Sequence, residues 1–155
     1  MAMGRPAPPF VLPDSEGRPV VLADHLGRKA IALVFYMSYG RDGCRVQLGK
    51  LRLEVDRIRG LGAEVMAISA DRAENAHRMA GELGFAFPIL SNPKLDVIYS
   101  YNMKGPNSTT ADMGYVLIDT AGRVRIRQID HRFGEHAGEM IQGLERIAGV
   151  GASRR

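Results

Sequence analysis

The run Ala30-Ile-Ala-Leu-Val-Phe35 ends in a polar, glycine-punctuated loop, Tyr36-Met-Ser-Tyr-Gly-Arg-Asp-Gly43, and Cys44 then opens an amphipathic helix. An unbroken apolar run bounded by turn residues reads as a strand buried on both faces. A strand covered on both sides and followed by a helix requires further strands beside it and helices over it, which restricts the chain to α/β architectures. The pattern also puts a thiol in the first turn of a helix. Unpaired backbone N–H groups and the positive end of the helix dipole lie there. Both favour the thiolate, the reactive form of cysteine. Arg41 and Arg45 add positive charge, partly opposed by Asp42, which reads as the N-cap. A packing role competes with this reading. Leu48, Leu51, Val55 and Ile58 share the helix face with Cys44, and free cysteines often behave as small buried hydrophobes. Two arginines and two glycines around an ordinary core position have no packing purpose, so the loop favours a reactive sulfur. It predicts a Cys44 partly open to solvent at the bottom of a shallow pocket.

Cys44 is the only cysteine, which excludes an internal disulfide and a metal cage built from thiols alone. No run approaches the roughly 18 apolar residues of a membrane span, and the N-terminal residues lack the apolar core of a secretory signal. The expectation is a protein of the reducing cytoplasm without a membrane partner. With 155 residues, 45% of them hydrophobic and 25% charged, the chain reads as one domain over residues 1–155. Arg123, Arg125 and Arg127 alternate along a strand as a solvated face. Aromatic residues do not interleave with the basic ones, so nucleic acid is not an expected partner.

Further elements are legible in chain order. Phe10–Leu12 and Pro19–Leu22 flank the turn signal Asp14-Ser-Glu-Gly17 as a small hairpin. The helix from Cys44 is expected to run to Arg59, with a strand over Glu64–Ser69 after it. Asp71-Arg-Ala-Glu74 resembles a capping box and starts a helix through Leu83. A short helix near Lys94–Tyr99, a polar loop over 102–112, a hairpin of Gly114–Asp119 with Arg123–Asp130, and a helix from Glu135 to Ala148 complete the chain, with fraying from Gly149. Strand–helix–strand order requires a right-handed parallel crossover, and the closing hairpin adds antiparallel strands. The predicted result is a mixed central sheet flanked by helices, with Cys44 at the carboxyl end of a central strand, where open α/β sheets place ligands.

From Gly4 to Ala148 the chain resembles the peroxiredoxins of the alkyl hydroperoxide reductase/thiol-specific antioxidant family. The resemblance rests on Gly4-Arg-Pro-Ala-Pro-Pro-Phe-Val-Leu-Pro-Asp14, Leu33-Val-Phe-Tyr36, Gly43-Cys-Arg-Val-Gln-Leu48, Gly62-Ala-Glu-Val-Met-Ala-Ile-Ser-Ala-Asp71, Phe87-Pro-Ile-Leu-Ser-Asn-Pro93 and Val116-Leu-Ile-Asp119. It implies a thioredoxin-like fold with an N-terminal hairpin extension, no cofactor, and reduction of a peroxide through Cys44. It also implies an external thiol as reductant, since no second cysteine resolves the sulfenic acid. A homodimer is the assembly that the resemblance allows. The family's loop reads P-x-x-x-T/S-x-x-C. Here Met37 stands at the proline, Arg41 at the hydroxyl residue, and Met113 at an arginine that precedes the closing hairpin strand. The resemblance thus makes Cys44 and Arg41 the catalytic candidates, Arg41 supplying charge where the hydroxyl is missing, and gives Met37, Gly43 and Met113 to the substrate site.

Two other readings stand beside peroxide reduction. One is a module of the same fold that serves in protein interaction or soft-metal binding, since a cysteine with two thioethers suits Cu(I). Methionines that simply fill apolar gaps account for Met37 and Met113 more economically. The other is an enzyme using the same thiol on a different electrophile. His131 and His136 do not have the spacing of a helix-face metal pair, although Asp130-His-Arg-Phe-Gly-Glu-His136 is polar enough to border a site.

Overall fold

A computed structural model describes residues 3–107 and 109–153. Its framework is a five-stranded sheet in the order β5-β4-β3-β6-β7, built from β3 (Ala30–Phe35), β4 (Ala63–Ser69), β5 (Ile89–Ser91), β6 (Gly114–Ile118) and β7 (Val124–Ile129). β3 is parallel to β4 and antiparallel to β6, and β4 is parallel to β5. All six residues of β3 are buried, as its apolar run requires of a central strand covered on both faces.

The chain steps from β3 to β4 to β5 in one direction across the sheet. Right-handed crossovers therefore leave both connections on one face. α1 (Asp42–Arg52), α2 (Val55–Gly60) and α3 (Ala73–Glu82) lie there with α5 (Ala137–Ser153) over a core of Ala32, Val34, Leu48, Ile58, Met79 and Leu144. The opposite face carries Ile31, Leu33, Phe35 and Met66. It is covered by α4 (Asp96–Ser100) and by the hairpin of β1 (Val11–Pro13) and β2 (Pro19–Val21), through Phe10, Leu22, Ile98 and Tyr101.

Several boundaries differ from those expected. The helix after the cysteine loop is two helices, not one: Leu53 and Glu54 bond back three residues, to Lys50 and Leu51, which tightens the chain and leaves Leu53 71% exposed. The apolar spacing passes through this break unchanged, so the pattern could not show it. Asp71 does not cap α3; Arg72 occupies the N-cap position with no side-chain bond, and the Asp71 carboxylate is used elsewhere. α5 begins at Ala137 rather than Glu135 and extends past Ala148 to Ser153, while Arg154 and Arg155 lie outside the described residues.

Candidate active site

β3 delivers Tyr36 into the core and hands over to a loop that is pinned from two sides. The Tyr39 N–H donates to the Asp71 carboxylate at 2.7 Å, tying the loop to the carboxyl end of β4. Arg45 donates to the Tyr39 carbonyl at 2.8 Å, stacks on the Tyr39 ring with 5.1 Å to its centroid, and pairs with Asp42 and with Glu82 of α3. Burial raises the Asp71 pKa, and the bond from Tyr39 opposes that rise. Arg45 thus clamps the loop. The expectation that it adds charge beside the thiol fails, because two carboxylates hold its guanidinium. Asp42 is likewise the first helical residue rather than the N-cap; Arg41 occupies the cap position, and no side chain caps α1.

Cys44 is the third residue of α1, and its N–H closes the first turn on the Arg41 carbonyl at 3.0 Å. Its side chain is buried, with 1% of the residue exposed, which corrects the expectation of partial exposure. The chain folds its neighbours over it: Tyr36, Met113 and Phe133 belong to the same packed cluster. Cys44 nevertheless lines a pocket of ≈ 460 Å³ with Met37, Arg41, Asp42, Gly43, Gln47, Met113 and His131. Cys44, Arg41, Met37, Gly43 and Met113 are therefore in one place. Cys44 Sγ lies 3.8 Å from Met113 Sδ. Arg41 is exposed at the rim, and its side chain makes no ion pair among the described residues.

Met113 is held through its backbone on both sides. The Asp112 carboxylate accepts the Met113 N–H at 2.8 Å and binds His131 Nε2 at 2.7 Å, while the Met113 carbonyl accepts from Asp130. Gly114 cannot be any other residue without movement, since a Cβ there would lie 2.1 Å from the Gln128 carbonyl oxygen of β7. Gln47, one helical turn beyond Cys44, accepts from the N–H groups of Gly134 and Glu135 at 2.9 and 3.1 Å, locking the loop that carries His131 against α1. Sequence reasoning missed Gln47, Asp112 and the Asp71 tie, and for His131 gave only that its segment, 130–136, is polar enough to border a site. A buried polar residue on an apolar helix stripe was the available signal for Gln47; nothing in the chain points His131 at residues so distant in sequence. Tyr36 is also buried. Its hydroxyl has no well-formed hydrogen bond, Ser69 offers at best a poor one, and burial pushes its ionisation upward.

A central strand feeding a thiol into the first turn of a helix, beneath a pocket with a guanidinium at its rim, defines a thiol-based redox protein on a thioredoxin-like sheet. The chain belongs to the AhpC/TSA family, whose model matches residues 3–127. A Mycobacterium tuberculosis peroxiredoxin is 28% identical over 147 residues, 91% of this chain and 93% of that one. Peroxiredoxin Bcp of Escherichia coli is 33% identical over 102 residues, 66% of this chain and 65% of its own. Among solved structures, peroxidoxin BcpB of Mycobacterium tuberculosis superposes with a TM-score of 0.83 at 24% identity, covering 95% of this chain and 98% of that one, which establishes the fold. The family's chemistry, thiol-dependent peroxide reduction, has one thiol to work with here.

Proposed function

We propose that this protein reduces peroxides at Cys44 by a one-cysteine mechanism, with Arg41 and His131 taking over the donor roles vacated at positions 41 and 113. The observation that carries the reading is the pocket itself: a sulfur sealed from bulk water yet bordering a cavity that also holds a guanidinium and an imidazole. The thiolate attacks one peroxide oxygen, an S–O bond forms as the O–O bond breaks, and the leaving oxygen takes a proton to depart as water or an alcohol. Donors placed where that oxygen develops charge lower the barrier. Arg41 offers several N–H donors and a fixed positive charge. His131, oriented through its Nε2 bond to Asp112, offers its Nδ1–H as a second donor when the ring is protonated. Met37, Gly43 and Met113 form walls that admit a small peroxide and keep water from the sulfur. Two equivalents of an external thiol then return the sulfenic acid to thiol with release of water and a disulfide. This requirement fits a reducing, cytoplasmic setting. Among the described residues no helix is long and apolar enough to cross a membrane. A second copy of the chain is the assembly we favour.

Stopped-flow mixing of the reduced protein with hydrogen peroxide, with dimedone trapping and intact-mass analysis after it, tests the reading. One dimedone adduct should appear on wild type and none on Cys44→Ser. A wild-type protein whose thiol survives stoichiometric peroxide unmodified would overturn it.

A further inference from the structure

The pocket holds two oxidisable sulfurs, and they touch. Cys44 Sγ and Met113 Sδ are 3.8 Å apart, and the residues are 1% and 5% exposed. Gap filling explains why an apolar side chain stands at position 113. It does not address the fate of a thioether lining a cavity that receives peroxide. Oxidation there converts Met113 to a polar, chiral sulfoxide, and its new oxygen would crowd the sulfur that must attack the next substrate molecule.

We propose that Cys44 reduces the sulfoxide of Met113 in place, making Met113 a reversible oxidation site and the sulfur pair self-repairing. Oxidation comes first: the Met113 thioether takes one oxygen from a peroxide, which leaves as water or an alcohol. In the repair step an S–O bond forms at Cys44 while the S–O bond of Met113 breaks. The thiol proton ends on the transferred oxygen, Cys44 is oxidised by two electrons, and Met113 is reduced by two. The product is the same Cys44 sulfenic acid that peroxide generates, so this inference rests on the peroxidase reading for its reductant. Two equivalents of external thiol return the sulfenic acid to thiol, releasing water and a disulfide and drawing the transfer forward.

Three features support the transfer. The sulfurs are already in contact, so the reaction is intramolecular and gains the advantage of fixed proximity. A proton carrier faces the same pocket: His131 is bonded to Asp112, and that carboxylate also holds the Met113 N–H. The fully buried Tyr36 packs in the same cluster as both sulfurs, within electrostatic reach of Cys44, and its hydroxyl lacks a well-formed partner.

The test separates repair from peroxide turnover. Cys44 of the full-length protein is capped as a methyl disulfide with methyl methanethiosulfonate, the methionines are oxidised with excess hydrogen peroxide, and the peroxide is removed. One equivalent of dithiothreitol then releases the thiol in the presence of dimedone, and peptides are quantified by mass. The Met113 sulfoxide should fall at least about fivefold, because the reducing thiol is held against it, while the sulfoxide of exposed Met3 stays constant. A dimedone adduct on Cys44 should rise in proportion, with no peroxide present to make it otherwise. Cys44→Ser, taken through the same steps, should retain both sulfoxides. Persistence of Met113 sulfoxide in wild type would overturn the proposal, as would its loss in Cys44→Ser or a Met113 that resists oxidation while Met3 is oxidised. None of these outcomes touches the peroxidase reading, which the dimedone experiment on uncapped protein judges separately.

Discussion

Two of the strand-to-helix turns at the carboxyl ends of the parallel strands in this sheet are finished in opposite ways. After β5, Asn92 is buried and its side chain is fully engaged: Oδ1 accepts the Ile98 N–H at 3.0 Å and Nδ2 donates to Asp96 at 2.8 Å. That turn is closed by its own residues, and α4 packs as cover for the sheet. After β3, no side chain caps α1, and Asp42 turns outward to Arg45. The bonds that stabilise this loop run from its flank to Asp71 and Glu82, leaving the side facing Cys44 bordered by thioethers and by Arg41 and His131. One turn uses its polar groups on itself; the other is held from behind so that its front is available to a small oxidant. The difference is between stability and chemistry, and substitutions should sort accordingly.

The largest effect expected is that of Gly114→Ala. Its Cβ would collide with the backbone of β7, so β6 and β7 must separate, at a cost of about 3 kcal/mol or more in urea unfolding. Met113 would move with them, and peroxide reactivity should fall as well. Asn92→Ala leaves the Ile98 N–H buried without its acceptor and should cost about 1–3 kcal/mol, with peroxide oxidation of Cys44 unchanged within about twofold. Loss of reactivity in Asn92→Ala would erase the distinction between the two turns.

At the open turn the balance reverses. Met113→Arg restores a charged donor next to the sulfur and should raise the second-order rate of Cys44 oxidation about tenfold. A well-placed donor contributes closer to a hundredfold, but this one arrives without a shell built to hold it. Arg41→Ala should slow the same reaction several-fold while leaving the unfolding midpoint where it was. If neither substitution changes the stopped-flow rate, the donor is His131 alone, and His131→Gln becomes the decisive variant.

The smallest expected effect concerns Glu135, where the His131 loop meets α1. Bonds from Arg132, then Lys50 and Gln47, hold its carboxyl at about 2, below the ordinary 4.5. A depressed folded-state value means that the ionised form favours the native state. The contribution is present above 4.5 and is lost as pH falls from there to about 2. Wild type should therefore melt slightly above Glu135→Gln at about pH 6, with the gap closing by about pH 2 and shrinking in high salt.

Much of this molecule is written locally. The six-residue apolar run of β3, the cysteine at a helix start, the closing hairpin and the stripe on α5 are short-range patterns, because backbone pairing and helix period repeat over a few residues. What the patterns could not carry were contacts between residues far apart in sequence. Asp71 resembles a helix cap by its neighbours, and only the parallel pairing of β3 with β4 brings it to Tyr39 instead. Arg45 looks like free charge beside a thiol until Glu82 of α3 arrives. The break at Leu53 left no trace, since Val55 and Ile58 keep the helical spacing across it.

Residue order was enough to place a thiol at the end of a central strand, to set the α/β succession around it, and to put methionines where a proline and an arginine were expected. It took the packed chain to seal Cys44 in rather than expose it, to bring His131 to the same pocket as Arg41, and to rest Met113 against the sulfur. Side-chain enclosure and sulfur contact depend on how separate elements pack, and a linear pattern records only the faces that each element will bury.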